Sequence, residues 1–200
     1  MKNDNFPRKK QSHIIIYIRE GQEMIFYFTR LYVRKNVVSL SSDKHQNRNI
    51  MKVGDKAPEV LGKDENGKDI FLSDYKGRKL VLYFYPKDNT SGCTAEACSL
   101  RDRYGELQGA GYEVVGVSKD SASSHQKFKE KHALPFPLIA DVDKKLLEEM
   151  GAWGEKTMYG KKTMGTIRTT FIIDENGIIE QIFAGKQVNT KEHAAQILDK

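Results

Sequence analysis

The chain has 200 residues, 38% of them hydrophobic, which is enough for one core of ordinary size. Its formal net charge is +6, yet residues 1–50 hold 10 Lys or Arg against 4 Asp or Glu while residues 51–200 hold 23 of each, so the whole excess lies in the first quarter. A basic balance arising there is no evidence that the remainder binds nucleic acid, and two cysteines exclude a disulfide scaffold.

In chain order, the first quarter carries apolar runs at 14–18, 24–28 and 31–33, interrupted by Arg19, Glu20, Glu23 and Arg30. None approaches the roughly 18 apolar residues of a membrane span, and no apolar core followed by a small-residue cleavage site marks a secretory leader. The runs are too β-like for the amphipathic helix of an organellar presequence. The chain is therefore expected in the cytoplasm.

From residue 51 onward strand and helix signals alternate. Asp64-Glu65-Asn66-Gly67-Lys68 predicts a hairpin turn between strands at 59–61 and 69–72, and Ser73 is placed to cap a short turn over 74–76. The apolar and aromatic run 79–85 stops at Pro86, as a buried strand ending at the edge of a site should. Residues 87–92 have turn composition. A helix is predicted from Thr94, with Leu100, Tyr104 and Leu107 on one face and Gly109 and Gly111 closing it.

Residues 112–118 read as a strand and 121–132 as a helix capped by Ser121, with a Lys-rich outer face. His125 and His132, seven apart on that helix, are expected to face solvent, and no Cys–His spacing resembles a zinc site. A Pro-punctuated strand at 134–141 and an amphipathic helix at 144–150 follow. Strands at 167–173 and 178–183 flank the hairpin signal Asp174-Glu175-Asn176-Gly177, and a helix at 191–198 ends the chain. Neither repeats nor low-complexity tracts occur.

Both cysteines lie where the 79–85 strand gives way to the next helix. Cys93 falls in the first turn of that helix, where unpaired N–H groups and the positive end of the helix dipole stabilise an anion. Thiols so placed, or beside a cation, titrate at about 3.5–7.5 against roughly 8.5 for a free thiol. Cys93 is thus a candidate nucleophile, although a small buried hydrophobe would look the same in sequence.

Cys98 adds a second constraint. Five residues of ideal helix give about 7.5 Å of rise and about 140° of rotation, whereas a disulfide needs Cα atoms roughly 4.4–6.8 Å apart. Bonding the two sulfurs requires the first turns to unwind, which suggests a switching pair. Four intervening residues also exclude a thioredoxin-type redox motif.

These residues resemble a known family. Pro86-x-x-x-Thr90-x-x-Cys93 is similar to the active-site pattern of the peroxiredoxins, and the run from Tyr85 through Cys98 resembles their bacterioferritin comigratory protein, or peroxiredoxin Q, subgroup. The likeness continues in Trp153-Gly154-Glu155-Lys156, Tyr159-Gly160-Lys161-Lys162 and the segment from Gly165 to Asp174. Ser91 stands where the subgroup usually has proline, and a slightly looser loop is expected there. The resemblance spans residues 51–200 and implies an α/β, thioredoxin-like fold, a central mixed β-sheet flanked by helices.

It further implies a thiol peroxidase that reduces hydrogen peroxide and organic hydroperoxides. Cys93 would be the peroxidatic cysteine and Cys98 the resolving one. Thr90 would hydrogen-bond thiolate and peroxide, Pro86 would shield the pocket, and Arg168 would stabilise thiolate and polarising peroxide. Glu96 would support that set from behind, although it is also an ordinary acid for a first helical turn. Thioredoxin is the implied reductant; no cofactor or metal, no nucleic acid and no membrane partner is implied, and a monomer is expected, with a weak dimer as the alternative. Trp153 and Tyr159 would either line the entrance or pack a loop.

Met51-Lys52-Val53-Gly54-Asp55-Lys56-Ala57-Pro58 looks like the natural start of such a protein. Residues 1–50 are then expected to be upstream sequence read from a start codon placed too early, with the working protein starting at Met51, or else disordered; if the segment is real, a membrane-surface or partner-binding arm is the alternative. Two functions of different class follow: the recycling peroxidase, or a redox-controlled binding or holdase protein in which unwinding at Cys98 alters a surface. A glutathione-peroxidase-like protein is excluded by the missing glutamine and tryptophan arrangement around the cysteine.

Overall fold

A computed structural model of the chain describes residues 50–158 and 161–199, together with 19–20 and 23–24. It has two compact units, Met1–His45 and Gln46–Lys200. In the first, Arg19–Glu20 (β1) and Glu23–Met24 (β2) pair antiparallel. The remaining expectations for residues 1–49, and that for Tyr159, lie outside the described residues. Among these no helix is long and apolar enough to cross a membrane.

The second unit opens with the hairpin of Val60–Lys63 (β3) and Asp69–Phe71 (β4). Asp64 Oδ1 accepts the N–H groups of Asn66 and Lys68 at 2.9 Å each, and Gly67 takes the positive φ of 81° that the turn requires. The next turn, Leu72–Tyr75, is capped differently from the expectation. Phe71 is its N-cap, with its N–H on Asp74 Oδ2 at 2.9 Å, while Ser73 sits inside the turn and donates its N–H to Glu59 Oε1.

Lys79–Phe84 (β5) is the middle strand of a mixed five-stranded sheet. Tyr112–Ser118 (β6) and Leu138–Ala140 (β7) continue it in parallel on one side; Thr169–Ile173 (β10) and Ile179–Ala184 (β11) continue it antiparallel on the other. Among the described residues five α-helices accompany the strands: Ser91–Asp102 (α1), Tyr104–Gly109 (α2), Ala122–His132 (α3), Lys145–Glu149 (α4) and His193–Leu198 (α5). The expected single helix after the cysteines is thus two, broken at Arg103. The strand predicted over 134–141 shrinks to three residues because Pro135 and Pro137 cannot donate to a ladder.

An antiparallel ladder not anticipated from the sequence, Trp153–Met158 (β8) with Lys161–Thr166 (β9), precedes β10. Alternation along β5 divides the interior into two layers. Leu80, Leu82 and Phe84 pack with Leu61, Leu147 and Met150, whereas Val81, Tyr83 and Tyr85 pack with Cys93, Ala97, Leu100 and Phe128. Gly116, opposite Tyr83, makes room for the phenol: a Cβ there would lie 2.7 Å from the Tyr83 hydroxyl oxygen.

Candidate active site

The strand β5 ends at Phe84, and Tyr85 to Thr90 lead into α1. Thr90, extended at φ −87° and ψ 149°, is the N-cap of α1, which makes Cys93 its third residue. The buried face of α1 is Cys93, Glu96, Ala97 and Leu100, the i, i+3, i+4, i+7 pattern of a helix lying on a sheet. Cys93 is 1% exposed and Cys98 half-buried, and neither is in a disulfide. Both lie on the unbroken helix, so the expected geometric conflict with a disulfide holds in this form.

The register of β10 on β5 pairs Thr169 with Phe84, which delivers Arg168 beside the end of β5, 75 residues beyond Cys93. Its backbone is fixed by the Gly185 N–H on its carbonyl at 2.8 Å. Nη2 then donates to Cys93 Sγ at 3.2 Å, and Nη1 donates to Glu96 Oε2.

Glu96 is fully buried, and its second oxygen, Oε1, has no hydrogen-bond partner among the described residues; neither has the Tyr83 hydroxyl. Burial pushes the Glu96 carboxyl up to about 7, against the opposing pull of Arg168. Tyr83 is held far above the usual phenol range by burial and then by the nearby Glu96. His193 from α5, bonded to the Thr170 hydroxyl at 2.8 Å, is lowered to about 4, chiefly by burial.

Thr90 and Pro86 stand on the same loop. The Thr90 hydroxyl donates to the Lys87 carbonyl at 3.1 Å, and Pro86 is half-buried. Asp88, between them, is anchored from the start of its own loop and from α3. It accepts from Tyr85 Oη at 2.8 Å and Ser124 Oγ at 2.7 Å, and its Oδ2 lies 2.9 Å from His125 Nδ1. The other ring nitrogen of His125 faces the Ile139 carbonyl at 3.1 Å. Burial raises the Asp88 carboxyl, but these donors, His125 foremost, outweigh it and hold it below the usual range.

The expectation for His125 was therefore wrong: it is 0% exposed and buried in this network. His132 is half-buried, edge-on to Phe128 at 5.0 Å. His125, Phe128 and His132 follow i, i+3, i+7, a spacing that marks an inward stripe of α3 and not a solvent face. Trp153 packs against the core layer on the other side of the sheet from Cys93. Among the described residues no group of three or more His, Cys, Asp or Glu could hold a metal ion.

The model of the AhpC/TSA family matches residues 53–182. Peroxiredoxin Bcp of Bacillus subtilis is 45% identical over 148 residues, 74% of this chain and 93% of that protein. Among solved structures, peroxiredoxin Q of Xanthomonas campestris is similar with a TM-score of 0.64 at 36% identity, covering 68% of this chain and 86% of that one. The bacterioferritin comigratory protein of the same organism, described for its alkyl peroxide reduction activity, gives 0.64 at 34% identity over 72% and 96%.

Proposed function

Since the chain belongs to the AhpC/TSA family and is a peroxiredoxin, a peroxidase acting through a thiol, we propose that Cys93 is its peroxidatic cysteine and Cys98 the thiol that resolves it. The observation that carries this reading is the 3.2 Å contact of Arg168 Nη2 with Cys93 Sγ at the start of a helix. A guanidinium and a helix N-terminus both favour the thiolate, and both remain in place as charge moves from sulfur to oxygen.

Cys93 Sγ attacks the terminal oxygen of a hydroperoxide. The S–O bond forms as the O–O bond breaks, leaving a sulfenic acid and releasing water or an alcohol once the departing oxygen is protonated. Thr90, whose own proton points to Lys87, keeps lone pairs to accept the O–H of the peroxide. Pro86 shields the sulfur from water, and Glu96 orients Arg168.

After α1 unwinds locally, Cys98 condenses with the sulfenic acid, expelling water and forming the disulfide. Cys98 is the more accessible thiol, and Arg101 places its guanidinium beside it. Thioredoxin is the reductant of that disulfide, and hydrogen peroxide and organic hydroperoxides are the substrates. The alkyl peroxide activity described for the Xanthomonas relative supports the second substrate class.

Two variants test the assignment. Cys93→Ser abolishes peroxide-dependent thioredoxin oxidation in an NADPH-coupled assay and traps no sulfenic acid. Cys98→Ser traps sulfenic acid with one equivalent of peroxide but is not recycled. Equal trapping in both variants defeats the assignment, and a single turnover of the unaltered protein would favour a redox-controlled binding protein instead.

A further inference from the structure

Arg168 meets two acids with one positive charge. Nη2 contacts the Cys93 sulfur at 3.2 Å while Nη1 holds Glu96, and both acids are buried, at 1% and 0% exposure. An uncompensated charge is costly in such surroundings. The site therefore favours two states of equal total charge: thiol with carboxylate, or thiolate with carboxylic acid. A thiolate beside an ionised Glu96 leaves one negative charge without a counter-charge.

The other groups around the cluster do not change this balance. Tyr83, from β5, is kept neutral by burial, and His193, from α5, stays neutral until about pH 4. Asp88, on the loop, has its charge met by Tyr85, Ser124 and His125. The orphan oxygen of Glu96 points the same way: among the described residues Oε1 accepts no hydrogen bond, so a proton placed on it displaces none.

We propose that Glu96 is the proton-holding partner of Cys93 across Arg168, protonated while Cys93 is the thiolate and yielding that proton as negative charge leaves the sulfur. This rests on Cys93 being the thiol that reduces peroxide. In the step, Cys93 Sγ bonds to the terminal oxygen of R–O–O–H and the O–O bond breaks. Sulfur is oxidised by two electrons, and these leave with the departing oxygen as RO⁻. The proton from Glu96 makes it ROH. The sulfenic acid is neutral, Glu96 is then the carboxylate facing Arg168, and the pair again carries one negative charge. Burial that lifts the carboxyl to about 7 fits a proton held near neutrality.

Two acids coupled in this way by more than about one pK unit titrate as a pair, and each reports on the other. Glu96→Gln keeps the shape and an oxygen for Nη1 but cannot ionise. In a Cys98→Ser background, where iodoacetamide follows one thiol, this substitution leaves the pH midpoint of Cys93 alkylation where it is or lowers it, because the thiolate already forms beside a neutral carboxyl. Reciprocally, in Cys93→Ser the Glu96 carboxyl carbon, followed by ¹³C NMR, titrates at lower pH than in the unaltered protein.

A midpoint that rises in Glu96→Gln, or a carboxyl that does not move in Cys93→Ser, overturns the proposal and leaves Glu96 only orienting Arg168. The NMR arm does not depend on the glutamine variant folding. Failure of the unaltered protein to form a sulfenic acid at Cys93 would instead remove the peroxidase reading, whatever the two titrations show.

Discussion

Two buried polar clusters flank the start of α1, and they differ in how completely their hydrogen bonds close. Around Asp88, both carboxylate oxygens have donors from Tyr85 and Ser124, and each ring nitrogen of His125 faces an oxygen. Around Arg168, Glu96 Oε1 and the Tyr83 hydroxyl have no partner among the described residues. Both clusters hold ionisable groups away from water, but only the first is fully compensated. A closed network has one arrangement and fixes the loop that carries Pro86 and Thr90. An open one can change its protonation without breaking a bond, which suits a site where charge moves.

Substitutions can break this contrast, and the largest effect is expected at the closed cluster. His125→Ala removes the foremost donor to a buried carboxylate, which should cost about 3–5 kcal/mol of unfolding free energy, measured by urea denaturation at pH 7. A loss under about 1 kcal/mol would show that the network positions nothing.

Arg168→Ala should act in the opposite sense, on chemistry more than on stability. Removing one preorganised charge at a reacting centre costs about 10²–10³ in rate, read as kcat/KM for hydrogen peroxide, and the alkylation midpoint of Cys93 should move to higher pH. Stability at pH 6 should change little, because Glu96, raised to about 7, is then mostly protonated and needs no cation. If this variant unfolds as readily as His125→Ala, the two clusters do not differ as argued.

The smallest effect concerns His193, neutral at the margin of the Arg168 cluster. The unfolded chain takes a proton on this imidazole near pH 6.5, but the folded chain does so only near pH 4, so acid favours unfolding across that window. Between pH 7 and pH 5 the histidine should remove about 2 kcal/mol of stability. In His193→Gln the difference between urea midpoints at the two pH values should shrink accordingly, and an unchanged difference would assign the acid sensitivity elsewhere.

Much of this protein was legible in short windows of sequence. The strand that stops at Pro86, the turn, and the helix with Cys93 in its first turn are local propensities, and the two Asn-Gly turns follow from the backbone freedom of glycine. The incompatibility of an intact helix with a Cys93–Cys98 bond is a matter of rise and rotation alone. Local patterns failed where a contact crosses the sequence. That Arg168 reaches Cys93 depends on the β10 register against β5, and without the resemblance to a family it would have read as one strand cation among many. The β8–β9 ladder, the break at Arg103 and the burial of His125 were decided by packing, as was the fate of Glu96. Propensity and spacing act over a few residues, whereas desolvation and charge compensation depend on what the fold brings alongside, and in this chain those effects set the chemistry of the site.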